Sequence, residues 1–225
     1  MSLQYPSSDF ERVSPELVSR ARQYQSAMLA DVFGRRGTLG ARVQALHPRM
    51  KVAGPAYTVE VRPGDNLMFH VALALARPGD VIIVDGKGDD TCALFGELMV
   101  TQAEAAGLAG LVVDAPCRDT GILCKGSFAV FAAGRNPCGP TKGLVGTVCK
   151  PVSVAGAPVQ PGDLVLGDED GVVVIPRADV AWVLDGVAKK VVDEKTRLEE
   201  IARDELVSPW LHDLLAKVGL PSLAS

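Results

Sequence analysis

Long apolar runs are missing from this sequence of 225 residues. No stretch approaches the roughly 18 apolar residues that a membrane-spanning helix needs, so we expect no membrane partner. The first residues carry no basic segment followed by an apolar one, which argues against a secretory signal and predicts a cytoplasmic protein. The formal charge of −4 leaves no excess of basic residues, so we expect no nucleic-acid partner.

Cysteines and histidines with the spacing of metal ligands are also missing. The five cysteines include no C-x-x-C pair, and the three histidines are scattered. Zinc sites need tighter ligand spacing, and an odd number of cysteines in a cytoplasmic chain is typical of free thiols. The sequence therefore predicts neither a zinc site nor a disulfide framework.

Patterns of helices and strands alternate along the chain. Residues 14–34 predict one helix, with Ser14 as its cap and Pro15 in its first turn. Residues 52–61 predict a strand, in which Pro55 indicates either a sheet edge or an irregular start.

A β–loop–α–β unit occupies the middle of the sequence. The apolar runs at residues 81–85 and 111–115 are typical of buried strands, and a helix ending near residue 106 separates them. Such crossovers favour a parallel pair. The other predicted elements are a helix over 65–76, a strand over 128–132, a β-rich block beyond 143 with a hairpin around 168–171, and helices over 178–204 and 210–218. No linker divides the chain, so we expect one α/β domain.

Gly96 stands where the helix of that unit is expected to begin. The first amides of a helix have no partner within the helix and carry partial positive charge, so an anion could bind there. A glycine that only eases entry into the helix explains the same residue equally well.

Arg118 and Asp119 directly follow the second strand of the unit, as Asp85 ends the first. In open α/β sheets, ligand sites collect at the carboxyl ends of strands. An arginine can stabilise an oxyanion there, and an aspartate can bind a hard divalent cation. The alternative is a surface ion pair without a function.

The spacing of these residues resembles a known signature. Gly96-Glu97, twenty intervening residues and Arg118-Asp119 are similar to the acidic-x20-Arg-Asp motif of the RraA-like superfamily. That superfamily contains the regulator of ribonuclease activity A and the class II 4-hydroxy-4-methyl-2-oxoglutarate aldolases. Further similar segments are 54–58, 78–81 and 167–176. The resemblance implies a swivelling β/β/α fold with a core over 14–204, a helical extension over 205–225, and assembly as a homotrimer or a dimer of trimers.

The resemblance also implies roles for individual residues. Arg118 would stabilise an enolate, Asp119 would ligate Mg²⁺ or Mn²⁺, and Glu97 would hold water at the metal. The carboxylate of a small 2-oxo acid substrate would bind to the backbone amides of one segment, namely Gly96, Glu97, Leu98 and Met99. No lysine is placed like a Schiff-base lysine, although Lys87 and Lys125 remain alternatives.

Two positions depart from the family pattern, and one role is ambiguous. The usual aspartate of the signature is Glu97 here, and an acidic residue found in some aldolases is replaced by Ile122. A further acid would come from the C-terminal helix of a neighbouring subunit. Glu194 matches it best, and the competing residues are Asp193, Glu199 and Glu200. A solvated helix face explains all four equally simply.

Two functions of different classes follow from the resemblance. The first is a metal-dependent aldolase that releases pyruvate and also decarboxylates oxaloacetate, because both reactions pass through one pyruvate enolate. The second is an RraA-type inhibitor of an RNA-degrading enzyme, which needs a protein-binding surface and no metal. Methyl transfer is disfavoured, since no glycine-rich loop is followed by an acid suited to S-adenosylmethionine.

Overall fold

A computed structural model describes residues 9–221 of the chain, so the predicted domain over 1–225 and its extension over 205–225 end outside the described residues. The chain divides into two compact units with the boundary after Asp185. The first unit contains the sheet and the helices around it. The second contains most of a long helix and a short final helix.

The structure confirms the predicted alternation of helices and strands. The helices are α1 Pro15–Ala21, α2 Ser26–Val32, α3 Leu67–Leu75, α4 Glu97–Ala105, α5 Thr120–Leu123, α6 Val180–Ala202 and α7 Pro209–Lys217. The strands are β1 Gln44–Ala45, β2 Val52–Glu60, β3 Val81–Asp85, β4 Gly110–Val113, β5 Ala129–Ala132, β6 Thr147–Val148, β7 Val152–Val154, β8 Ala157–Val159, β9 Leu164–Asp168 and β10 Gly171–Ile175.

Eight strands form one mixed sheet in the order β1-β5-β4-β3-β2-β9-β10, with β6 paired to β2. Strands β2 to β5 are mutually parallel, which confirms the crossover predicted from the sequence. Every residue of β3, β4 and β5 is buried, as their continuous apolar runs predict. The α/β class predicted from the sequence is therefore confirmed.

The prediction of one helix over residues 14–34 is wrong, because two helices occupy this segment. Ser14 does cap α1, its side chain accepting a hydrogen bond from the amide of Leu17 at 3.3 Å. The second helix begins anew at Ser26, whose amide and hydroxyl both donate to the buried Asp168 carboxylate, at 2.7 and 2.6 Å. This carboxylate satisfies a free amide at the start of α2, and so it sets the break in the helix.

Pro55 does not mark a sheet edge, since β2 lies inside the sheet. The first half of β2, through Pro55, pairs with β9, and pairing with β3 begins at Ala56. Pro55 thus lies where β2 changes its pairing partner from β9 to β3. Its missing N–H removes no hydrogen bond from the parallel pairing with β3, which begins one residue later. The irregularity expected from the proline is real, and the edge position is wrong.

The second unit carries a charged helical surface with apolar residues among the charges. Glu194 pairs with Lys190 at 3.0 Å and Glu200 pairs with Arg197 at 2.8 Å, whereas Asp193 and Glu199 are exposed. Trp210 in α7 is 62% exposed. Among residues 9–221, no helix has both the length and the apolar character needed to cross a membrane.

Candidate active site

Three loop segments run side by side beyond the carboxyl ends of β3, β4 and β5. The amide of Leu94 donates to the carbonyl of Pro116, and the amide of Arg118 donates to the carbonyl of Phe95, each at 3.0 Å. On the other side, the amide of Cys117 donates to the carbonyl of Gly134 at 3.0 Å. The parallel sheet therefore continues into its loops and fixes the backbone on which Gly96 and Arg118 stand.

Gly96 makes room for the Asp119 carboxylate. A Cβ at Gly96 would lie 2.3 Å from Asp119 Oδ2 and 3.0 Å from Arg118 Cγ. The same Oδ2 accepts a hydrogen bond from the amide of Glu97, the first residue of α4, at 3.1 Å. Easier entry into the helix is thus an incomplete explanation of this glycine, because any side chain here would displace a carboxylate that binds the helix N-terminus.

Asp119 is held in an unusual backbone conformation. Its φ of 60° and ψ of 26° lie in the left-handed region, at the cap position of the short helix α5. Few residues other than glycine adopt this region readily, aspartate being one of the exceptions. The Asp119 side chain is 40% exposed, so one carboxylate edge faces the helix and the rest remains open to solvent.

Arg118 projects beside this carboxylate and keeps most of its donors available. Its Nε lies 3.8 Å from Asp119 Oδ2, and its side chain is 48% exposed. Gly139 leaves space for the guanidinium, since a Cβ there would lie 3.0 Å from Arg118 Nη1. A contact of 3.8 Å is too long for a hydrogen bond. The guanidinium is therefore free to donate to a ligand.

The first turn of α4 still offers two backbone donors. The amide of Glu97 is engaged by Asp119, but within residues 9–221 the amides of Leu98 and Met99 have no protein acceptor. Leu98 is 85% exposed, while Met99 is buried. Of the four amides predicted to bind a carboxylate, Glu97's is therefore already occupied, whereas those of Leu98 and Met99 are suited to an anion.

Asn66 is a buried residue of this region that sequence analysis missed. Its Nδ2 donates to the carbonyl of Leu94 at 2.7 Å and lies 3.5 Å from Met99 Sδ. Its Oδ1 is buried and has no partner within the described residues. The amide thereby ties the start of α3 to the segment leading into α4. From the sequence, Asn66 could be predicted only as a residue at the start of a helix.

Asp65, next to Asn66, holds the loop that follows Pro140. Its buried carboxylate accepts hydrogen bonds from the amides of Leu67 and Gly143, at 2.9 and 2.7 Å, and from the Thr141 hydroxyl at 2.8 Å. Burial alone would raise the pKa of Asp65, but these hydrogen bonds, led by that of Leu67, lower it overall. The loop is therefore anchored to an ionised carboxylate.

Lys87 is unsuited to Schiff-base chemistry. Its Nζ donates to Asp85 Oδ2 at 2.6 Å and lies 3.5 Å from Glu60 Oε2. The hydrogen bond with Asp85 raises the pKa of Lys87, so the amine stays protonated at neutral pH. A protonated amine is not a nucleophile. Of the two lysines considered as Schiff-base candidates, Lys87 is therefore excluded.

A cavity of about 410 Å³ opens beside Arg118 and Asp119. It is lined by residues that follow β4 and β5, namely Cys117, Arg118, Asp119, Thr120, Arg135, Asn136 and Pro137. Its volume is in the range of small-molecule sites. Arg135 was not predicted, although it follows β5 much as Arg118 follows β4.

The carboxylates present fit a hydrated divalent cation. The described residues contain no group of three or more acidic, histidine or cysteine side chains that could hold a metal. Mg²⁺, however, binds through one or two carboxylates and keeps several waters or substrate oxygens. Asp119, with Oδ2 directed to the helix and the rest of its carboxylate open, together with the exposed Glu97, has the chemistry of such a site.

Comparison with known proteins places the chain in a family. Residues 26–174 match the sequence profile described as RraA-like: Aldolase/RraA. The chain belongs to the RraA-like family. A protein of Halalkalibacterium halodurans, named "Putative 4-hydroxy-4-methyl-2-oxoglutarate aldolase", is 35% identical over 187 residues, which cover 83% of this chain and 89% of that protein.

Two solved structures share the fold. RraAS2 of Streptomyces coelicolor, described as an unusual member of the RNase ES inhibitor RraA protein family, has a TM-score of 0.73 and 28% identity, covering 87% of this chain and 99% of that one. An uncharacterized protein of Pseudomonas syringae pv. tomato has a TM-score of 0.74 at 24% identity, covering 86% and 96%. The fold expected from the signature is thereby confirmed.

Proposed function

We propose that this RraA-like protein is a divalent-metal-dependent aldolase that releases pyruvate from 4-hydroxy-4-methyl-2-oxoglutarate or a related 4-hydroxy-2-oxo acid. Decarboxylation of oxaloacetate would accompany this activity. The observation that carries the proposal is the Asp119 carboxylate, which is hydrogen-bonded to the start of α4 and lies 3.8 Å from the Arg118 guanidinium in an open cavity. The family name shared by relatives such as that of Halalkalibacterium halodurans supports it.

Substrate binding would begin at the N-terminus of α4. The free amides of Leu98 and Met99 would donate hydrogen bonds to the substrate's C1 carboxylate, where the helix dipole favours negative charge. The 2-oxo group would then lie toward Arg118. In this orientation the bond between C3 and C4, which must break, would face the cavity that Arg118 lines.

Cleavage moves the electrons of the C3–C4 bond onto the pyruvyl fragment. The 4-hydroxyl loses its proton and becomes a carbonyl, and the pair left on C3 delocalises onto the C2 oxygen as an enolate. Arg118 places a fixed positive charge where that oxyanion develops. Glu97, which is exposed at the site, would hold the water that carries the proton away. Protonation of C3 then completes pyruvate.

Asp119 would hold the cation, Mg²⁺ or Mn²⁺. When bound, it supplies Lewis-acid polarisation of the 2-oxo group. Loss of CO2 from oxaloacetate leaves the same enolate, so Arg118 would serve both reactions. The hydrogen bond from Glu97 orients Asp119, much as outer-shell partners orient ligands in other metal sites.

A pyruvate-release assay tests this function. The purified protein is incubated with 4-hydroxy-4-methyl-2-oxoglutarate or oxaloacetate, with Mg²⁺ or with EDTA. We expect pyruvate from both compounds with Mg²⁺, and only the uncatalysed background with EDTA. Equal release with and without EDTA would contradict the metal requirement, and no release from either compound would contradict the aldolase proposal.

A complete site would combine two subunits of a homotrimer or a dimer of trimers, with Glu194 contributed by the neighbour. Mixing tests this idea. Arg118→Lys and Glu194→Gln subunits, each impaired alone, should regain activity when they are mixed, unfolded and refolded together, because some interfaces then contain both native residues. Solution mass should be a multiple of three subunits. A monomer, or mixtures no more active than their parents, would contradict the shared site.

Inhibition of an RNA-degrading enzyme is the second candidate. It is supported by the description of the Streptomyces coelicolor neighbour as belonging to an RNase ES inhibitor family. An RNA-cleavage assay with a ribonuclease of that class separates the two functions. Inhibition that survives both EDTA and Arg118→Lys would support a binding role independent of the candidate site.

A further inference from the structure

Arg135 is a second guanidinium at the cavity that Arg118 lines. The two arginines stand on adjacent loop segments, because Cys117, the residue before Arg118, forms a parallel bridge with Arg135. Neighbouring parallel segments are spaced by about 5 Å. Both side chains are exposed and line the same 410 Å³ space. One ligand could therefore contact both cations.

The backbone of Arg135 is held on both sides. The amide of Cys117 donates to the carbonyl of Gly134 at 3.0 Å, and the amide of Asn136 donates to the carbonyl of Cys117 at 3.1 Å. The Asn136 side chain also donates to the carbonyl of Asp90 at 2.8 Å. A side chain on such an anchored segment starts from a fixed position, which lowers the entropic cost of binding through it.

The charge around the cavity is unbalanced. Its lining residues include two arginines and one carboxylate, Asp119. Within residues 9–221, no carboxylate lies within salt-bridge distance of Arg135, and Arg118 reaches only Asp119, at 3.8 Å. The lining therefore carries a net positive charge, which favours an anionic ligand.

We propose that Arg135 binds the distal carboxylate of the substrate and makes the site selective for dicarboxylic 2-oxo acids. This inference rests on the proposed function, in which the α4 amides hold the C1 carboxylate and Arg118 faces the enolate oxygen. A second carboxylate on the departing fragment then needs its own cation. Arg135 supplies one from the neighbouring segment. A planar guanidinium matches the two oxygens of a carboxylate.

Binding of two non-cleavable compounds tests the proposal without turnover. 2-Oxoglutarate and 2-oxopentanoate share a 2-oxo acid end and lack the 4-hydroxyl needed for cleavage, but only the first has a distal carboxylate. By calorimetry in Mg²⁺, the native protein should bind 2-oxoglutarate about tenfold or more tightly, the scale of a charge-assisted hydrogen bond. Arg135→Ala should reduce this preference to about one. Arg49→Ala, which removes an exposed arginine absent from the cavity lining, should keep it.

Activity provides the second arm. Arg135→Ala should raise KM for 4-hydroxy-4-methyl-2-oxoglutarate and leave KM for the monocarboxylic 4-hydroxy-2-oxopentanoate unchanged. If the native protein binds the two non-cleavable compounds equally, or Arg135→Ala keeps the preference, the proposal for Arg135 is overturned even if pyruvate is released normally. If the preference for 2-oxoglutarate depends on Arg135 but no pyruvate forms from any substrate, the dicarboxylate site is supported and the aldolase function is contradicted.

Discussion

Replacing Gly96 by alanine tests how closely the helix start and the Asp119 carboxylate depend on each other. The backbone at Gly96 is extended, with φ of −158°, so alanine adds no backbone strain. Its Cβ would lie 2.3 Å from Asp119 Oδ2, whereas ordinary contacts begin near 3.4 Å. The carboxylate must therefore move by about 1 Å, and it loses the hydrogen bond from Glu97.

The cost to stability should be small, and the cost to activity large. A hydrogen bond to a charged group contributes about 1.5 kcal/mol or more, and solvent reduces this at a carboxylate that is 40% exposed. A loss of about 1 kcal/mol lowers Tm by about 2–4 °C in a chain of this size. A displacement of about 1 Å at a reacting centre costs on the order of 10²-fold in turnover. Activity should thus fall well before the fold does.

Thermal unfolding and pyruvate release separate the two effects when they are measured on five proteins: the native protein, Gly96→Ala, Asp119→Ala, their double variant, and a control. Gly143→Ala is the matched control, since a Cβ there meets nothing within 4 Å. In the Asp119→Ala background the main clash is gone, so Gly96→Ala should lower Tm by less than half as much as in the native background. Equal Tm changes in the two backgrounds, or Gly96→Ala turnover within twofold of the control, would refute the steric argument.

Three further predictions concern the charged groups of the first unit. Arg118→Lys should lower turnover by on the order of 10²-fold for both aldol cleavage and decarboxylation, because lysine keeps the charge and loses the planar guanidinium. A loss confined to aldol cleavage would show that Arg118 contacts the departing fragment and not the enolate. Asp119→Ala should abolish Mg²⁺-dependent turnover with an unchanged circular dichroism spectrum, and near-native activity would contradict the metal assignment. Asp65→Asn should lower the free energy of unfolding by about 1–3 kcal/mol at pH 7. Because the folded-state pKa of Asp65 lies below its usual value, the stabilisation is complete above about pH 4 and disappears as the pH falls through the lowered pKa. A difference from the native protein that is as large in urea titrations at pH 3 as at pH 7 would contradict this.

The order of the elements could be predicted from the sequence because its determinants are local. The buried run at residues 81–85 and the Ser14 cap of α1 depend on residues close by along the chain. The crossover predicted between β3 and β4 follows from the same short-range pattern and from the handedness of such units. The positions of Gly96, Glu97, Arg118 and Asp119 relative to the two strands likewise predict that these residues meet at one edge of the sheet.

Contacts between distant residues could not be predicted in this way. The break between α1 and α2 is set by Asp168, which lies 142 residues from Ser26. The interior position of β2 despite Pro55 depends on two partner strands that begin at different points. Both features depend on hydrogen bonds between groups that are distant along the chain, and a local sequence pattern does not predict such pairs.

The candidate site shows the same division between local pattern and tertiary contact. The sequence by itself determined that a glycine, an acid, an arginine and an aspartate share one edge, because parallel strands bring their carboxyl ends together. Only the tertiary structure decided why residue 96 must be glycine, since the Asp119 carboxylate occupies the space of its Cβ. It also brought Arg135 to the cavity and tied Asn66 to the segment before α4. Those contacts depend on side-chain packing among loops that the sheet holds a few ångströms apart.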